Sequence, residues 1–205
     1  MRKKRLFTPG PTSVPEDILL EMAKPIIHHR TDEFIKIAKE CFEGLKYIYQ
    51  TENDVFIIAS SGTGAMEISV VNLFSKGEKI AVVCGGKFGE RFAEIGQAYG
   101  LEILPIEIEW GKTLKAEEVE KILKENNDIK GFFTPLCETS TGTAFDVENY
   151  GKIISKFPDI VFVVDGISAI GGVPCYMDKW GIDVLITGSQ KALMLPPGLS
   201  FISLS

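Results

Sequence analysis

Several features are scarce in this sequence, and each scarcity narrows what the chain can be. It has four arginines (Arg2, Arg5, Arg30 and Arg91) and none after Arg91. Its four cysteines (Cys41, Cys84, Cys137 and Cys175) are scattered without a CxxC pair. That spacing argues against a metal site or a disulfide framework and for reduced thiols in a cytoplasmic protein. No stretch approaches the ~20 apolar residues of a membrane span. The basic opening Arg2-Lys3-Lys4-Arg5 runs through Leu6-Phe7 straight into Thr8-Pro9-Gly10-Pro11, so it lacks the apolar core of a signal peptide. Positive charge is in deficit overall: the net charge of -6 argues against nucleic acid or an anionic membrane as the main partner. Neither GxGxxG nor the full GxxxxGK[ST] of a nucleotide P-loop occurs, and there is no internal repeat or low-complexity tract.

What remains is a globular chain. With 205 residues, 45% of them hydrophobic, it can bury one substantial core, or one domain and part of another. Apolar runs of strand length fall at 55–60, 79–84, 101–108, 130–136, 160–165, 184–189 and 199–204. Several, such as "IVFVVD", are rich in Val, Ile and Phe without alternation, the mark of strands buried on both faces. Helical patterns lie between them. In "TDEFIKIAKECFEGLKYIYQ" the residues Phe34, Ile37, Cys41, Leu45 and Ile48 share a stripe, and Thr31 is placed to cap it. Further helices are predicted over 64–74, 88–99, 115–124 and 147–156. Strand alternating with helix predicts an α/β fold, a mostly parallel seven-stranded sheet with helices on both faces. Residues 1–50 read as an N-terminal arm and helix, and 51–205 as the sheet domain.

In open α/β sheets ligands sit outside the carboxyl ends of the strands, so those ends are where chemistry is sought. After the first strand, "SSGTGAME" puts small residues and hydroxyls before a helix, either a phosphate cradle or a plain tight turn. After the second, "GGKFGERF" sets Phe88 among glycines, as a core residue or as a platform for a planar ligand. The fourth ends in "PLCETSTG", a carboxylate and three hydroxyls that on their own read as a polar turn. The fifth ends in Asp165, which has left water behind and needs a cationic or hydrogen-bonding partner to stay ionised. The sixth leads to Lys191 in "GSQKAL", with no acid beside it and Pro196-Pro197-Gly198 closing off a helix. The plain reading is that Lys191 neutralises Asp165. The other is that Asp165 pairs with a ring-nitrogen cation while Lys191, partly desolvated, forms a Schiff base with an aldehyde. A phosphate cradle, a platform ring, an acid and a free lysine together describe a pyridoxal phosphate site.

With those residues in place the chain resembles the class V, fold-type I pyridoxal-phosphate aminotransferases, and within them the alanine–glyoxylate and serine–pyruvate branch. The matching stretches are "TPGPT" (8–12), "SGTGAME" (61–67), "GGKFGER" (85–91), "ETSTG" (138–142), "VDGISAIGG" (164–172), "MDKWGIDV" (177–184) and "GSQKAL" (188–193). They span essentially the whole sequence. The resemblance implies a fold-type I large domain and pyridoxal 5'-phosphate as cofactor. It implies Lys191 as the Schiff-base lysine and proton shuttle, and Asp165 as the partner of the ring nitrogen. Phe88 would stack on the ring, Thr63, Gly64 and Gln190 would hold the phosphate, and Thr139 would lie near the ring hydroxyl. Pro9 and Gly10 would shape the substrate end, and the protein would be a homodimer.

Two departures stand out. Relatives often carry His where this chain has Leu136. The arginine that binds the substrate carboxylate in the family lies in a C-terminal small domain, and here no arginine follows Arg91. The expectation is therefore an N-terminal arm plus most of a cofactor domain, with 1–205 inactive alone. The implied reaction moves an amino group from alanine or serine to glyoxylate or pyruvate. A desulfurase-like lyase is the nearest rival; that branch usually has His before the lysine, where Gln190 stands here. A non-catalytic cofactor-binding remnant is the other rival.

Overall fold

A computed structural model describes residues 5–205; Arg2, Lys3 and Lys4 of the basic opening lie outside them. In chain order the helices are α1 (Glu16–Glu21), α2 (Asp32–Tyr49), α3 (Gly62–Val71), α4 (Lys87–Ala98), α5 (Ala116–Glu125) and α6 (Val147–Ile154). The strands are β1 (Val55–Ile58), β2 (Lys79–Cys84), β3 (Glu102–Glu107), β4 (Ile129–Pro135), β5 (Cys137–Glu138), β6 (Thr143–Ala144), β7 (Val161–Asp165), β8 (Val184–Gly188) and β9 (Ser200–Leu204). Seven of them form one sheet in the order β1-β9-β8-β7-β4-β2-β3. Only β9 runs against its neighbours, so six strands point their carboxyl ends to the same edge.

The sheet carries a core on each face. Consecutive residues of β4 divide between them, because side chains alternate along a strand. Phe132 points to the layer of α2, α5 and α6 with Tyr49, Tyr150 and Phe162; Phe133 points to the layer of α3 and α4 with Met66 and Phe92. Each such buried aromatic contributes roughly 1.5–3 kcal/mol. Local signals start the helices as their sequences suggest. Thr31 Oγ1 accepts from Phe34 N at 3.3 Å to cap α2, and Asp146 Oδ1 accepts from Asn149 N at 3.4 Å to cap α6. Tyr49, at the end of α2, donates its hydroxyl to Phe201 O at 3.0 Å and locks that helix to β9.

Four features differ from the sequence reading. The α2 stripe is buried only at Leu45 and partly at Ile48, while Phe34, Ile37 and Cys41 are exposed. An 18-residue helix, about 27 Å long, outruns the four-residue edge strand β1 on which it packs. At β1 itself Phe56 and Ile57 are exposed, since an edge strand is covered on fewer sides. Lastly, "CETSTGTA" is the small antiparallel hairpin β5–β6, and α1 forms in what the sequence presents as an arm. Among the described residues no helix is long and apolar enough to cross a membrane.

Candidate functional site

The parallel register carries the sequence-predicted residues to one edge of the sheet. Asp165 closes β7 opposite Ile186 of β8, and Lys191 follows β8 by three residues. The segment from Ser189 to Leu199 is stitched rather than helical. Ser189 Oγ donates to Pro196 O at 2.7 Å and accepts from Leu199 N at 3.3 Å. Thr12 pins the N-terminal arm onto it, its N–H donating to Gln190 O at 3.0 Å and its hydroxyl to Lys191 O at 2.8 Å. The arm is thereby laid along the lysine: Lys191 Nζ donates to Pro9 O at 3.3 Å. At Gly10 (φ +153°) any Cβ would overlap the end of the Lys191 side chain, so only glycine admits the lysine there.

Asp165 is buried, and its Oδ1 accepts from Ile167 N at 2.8 Å. Burial raises its pKa to about 7, and the Glu138 charge raises it too; the Ile167 N–H and Lys191 work the other way. Lys191 is shifted down from the usual lysine range, first by burial, with Asp165 opposing. The two form no ion pair among the described residues, so the plain reading of a neutralising lysine is not what the fold builds. Asp165 and Lys191 feel each other's charge without being paired.

At the start of α3, Ser61 Oγ accepts from Gly64 N at 3.3 Å. The remaining first-turn N–H groups have no partner within the helix. Gly62 abuts Ile167, whose Cδ1 would lie 2.8 Å from a Cβ there, so the cradle touches the residue that bonds Asp165. Thr63 Oγ1 accepts from Arg91 at 3.4 Å, and the Arg91 guanidinium lies 5.2 Å from the centre of the Phe88 ring. Phe88 is half-buried at the start of α4, and Thr139 is half-buried in the β5–β6 turn. The Gln190 side-chain oxygen is buried without a partner. Side-chain amide O and N are interchangeable in such an assignment, so this group can offer its NH₂ to an anion. A helix N-terminus, an orphaned amide, a half-buried aromatic ring and a buried acid with one N–H donor fit an anionic group carrying a cationic ring.

The structure thus gathers Pro9, Gly10, Asp165, Gln190 and Lys191 at one place. Gly62, beside Thr63 and Gly64 in α3, abuts Ile167, and Arg91 joins Thr63 to Phe88. Two residues carry more than their sequence context suggests. Arg91 stands in the sequence only as the last arginine and the end of "GGKFGER". Glu138 was read as part of a polar turn, yet it is fully buried. An acid flanked by "PLC" on one side was the signal available.

The sequence and the fold both match known proteins. Residues 6–205 match the family model "Aminotransferase class-V". The L-aspartate–glyoxylate aminotransferase of Paracoccus denitrificans is 35% identical over 205 residues, covering 98% of this chain and 52% of that protein. The serine–glyoxylate aminotransferase of Methylorubrum extorquens is 35% identical over 208 residues, covering 99% and 52%. Among solved structures, an alanine–glyoxylate aminotransferase from Nostoc superposes with a TM-score of 0.93 at 29% identity, covering 100% of this chain and 54% of that one. The chain spans about half the length of the curated relatives it matches.

Proposed function

Because the chain belongs to the class-V aminotransferase family, we propose that its strand-end site holds pyridoxal phosphate and serves amino transfer from alanine or serine to glyoxylate or pyruvate. The observation that carries this reading is Lys191: partly desolvated, bonded to a backbone carbonyl rather than to an acid, and close enough to Asp165 to feel its charge. When bound, the cofactor supplies an aldehyde for a lysine amine and a protonated ring that withdraws electrons from the amino acid.

The chain's own residues supply the rest. Lys191 Nζ, neutral at lower pH than an ordinary lysine, would be the amine that holds the cofactor through its aldehyde carbon and the base that moves the amino acid's proton. Asp165 would hold a proton on the ring nitrogen, and Phe88 would cover the ring. Thr63, Gly64 and Gln190 would bind the phosphate with the first-turn N–H groups of α3, and Thr139 would lie near the ring hydroxyl. Pro9 and Gly10 wall the substrate end and exclude water from Lys191. The shared acceptor of the three relatives, glyoxylate, supports the acceptor half of the reading; their donors differ, and the small donor rests on the resemblance of the sequence motifs. We also place the protein as a homodimer, supported by the apolar Phe34, Ile35, Ile37 and Phe42 exposed on α2. A cytoplasmic location is supported by four unpaired cysteines.

The test is a single-turnover reaction followed over hours, with protein, pyridoxal phosphate and L-alanine or L-serine. The reading expects one slow half-reaction, far below useful turnover for 1–205 alone, that yields pyridoxamine phosphate and the matching 2-oxo acid, both lost in Lys191→Ala. Sulfide released from L-cysteine, with no pyridoxamine phosphate from either donor, would contradict it.

A further inference from the structure

We propose that Glu138 is a positioning residue of this site, its buried carboxylate fixing the start of α4 and with it the Phe88 ring against the strand ends. The proposal rests on the cofactor reading and deepens it. Helix α4 has Gly86 at its cap position and therefore no capping side chain of its own. Glu138 supplies one from another element. Its Oε2 accepts from Phe88 N at 3.1 Å and from Gly89 N at 3.1 Å. Its Oε1 accepts from Ser140 N at 3.0 Å and from the Ser140 hydroxyl at 2.7 Å. Ser140 Oγ in turn accepts from Lys87 N at 3.0 Å, so three successive N–H groups of α4 are tied to the β5–β6 hairpin.

The neighbouring glycines are cut to this clamp. A Cβ at Gly86 would lie 2.5 Å from both Glu138 Cγ and Ser140 Oγ, so only glycine lets the carboxylate reach the helix. On the other side of the helix, a Cβ at Gly89 would overlap the backbone oxygen of Val83 in β2. The first turn of α4 is therefore gripped between a carboxylate and a strand, and Phe88 projects from that turn.

A capping serine or threonine would satisfy the same N–H groups without burying a charge, which costs several kcal/mol unless it is fully hydrogen-bonded. A carboxylate with four donors and a helix N-terminus meets that condition and gains charge-assisted bonds that a hydroxyl cannot match. It also places a second acid near Asp165, where its charge helps to hold that residue near 7.

The experiment uses the whole chain and two variants, Glu138→Gln and Ser140→Ala. Gln keeps the shape but turns one acceptor oxygen into an NH₂ that faces N–H donors. Amide hydrogen exchange at Phe88 and Gly89 is measured without cofactor. Pyridoxal phosphate affinity and the visible circular dichroism of the bound cofactor are then measured by titration. For Glu138→Gln the proposal expects faster exchange at both amides and roughly tenfold weaker binding, the equivalent of one charged hydrogen bond, with reduced dichroism. Ser140→Ala should shift each in the same direction by about threefold, and it carries the test should Glu138→Gln not fold. Unchanged affinity and dichroism in a folded variant overturn the proposal, whether or not exchange changes. Failure of the wild-type protein to take up the cofactor is a different result, and it overturns the parent reading along with this one.

Discussion

Lys191 Nζ and the carbonyl oxygen of Pro9 are hydrogen-bonded at 3.3 Å although 182 positions separate them in the chain. The N-terminal arm is thus part of the wall around the lysine, held there by the two bonds from Thr12 to the Gln190–Lys191 backbone. Next to Pro9, Gly10 sits at φ +153° with the lysine's end filling the space of a missing Cβ.

Gly10→Ala should therefore act on the lysine more than on the fold. The side chain that would be struck is flexible and yields, so the stability cost is that of the backbone conformation, about 1 kcal/mol. The bond to Pro9 is lost, and covalent attachment of pyridoxal phosphate should slow by an order of magnitude or so. Stopped-flow absorbance for attachment, beside a thermal melt, checks both. Wild-type attachment kinetics would show that the arm plays no part in placing Lys191.

For Asp165 the direction of the pH effect follows from its position near 7 in the folded protein against about 3.9 in an unfolded chain. Between those values the folded state binds the extra proton, so this group's contribution makes the cofactor-free protein less stable as pH rises from about 4 to about 7. Above that range the cost is fully present. Asp165→Asn keeps the volume and the acceptor for Ile167 N while removing the charge. Without cofactor it should melt higher than wild type at pH 8, by the order of 2–4 kcal/mol at most, and gain little at pH 4. A variant less stable than wild type at pH 8 would contradict the assignment of a buried, cation-seeking acid.

A pair of glycine substitutions separates close packing from mere helix breaking. At Gly89 a Cβ would overlap the backbone oxygen of Val83, and neither main chain can give way cheaply. Gly89→Ala should cost roughly 2–4 kcal/mol. Gly44 lies in α2 with nothing within 4 Å of a Cβ, so Gly44→Ala should add about 0.5–1 kcal/mol through helix propensity. Denaturant melts of both variants decide it; a stable Gly89→Ala would mean that α4 is not docked on β2 as described.

Much of this was legible from sequence, for physical reasons that also mark its limits. All seven sheet strands are legible, the central ones as unbroken apolar runs buried on both faces and the edge strands β1 and β3 as short runs rich in Val, Ile and Leu, with ends that differ by a residue or two. The order in which they pair was not, because register depends on contacts between distant segments. The strand-end rule pointed to Asp165 and Lys191, since both follow apolar runs directly. The α2 stripe misled in part: apolar spacing shows that Phe34 and Ile37 share a face but not what lies against it. Glu138 was discounted because the buried state of an acid depends on donors far away in sequence, here Phe88 and Gly89. The bond from Lys191 to Pro9 has no local signal at all.

The central claim is that Lys191 is the residue that takes the cofactor, and reductive trapping tests it most directly. The folded protein is incubated with pyridoxal phosphate over a range of pH, reduced with borohydride and peptide-mapped. The account predicts modification at Lys191, with attachment rising at lower pH than for an ordinary lysine, because burial shifts its amine toward the neutral form. Modification at other lysines with Lys191 untouched would contradict it.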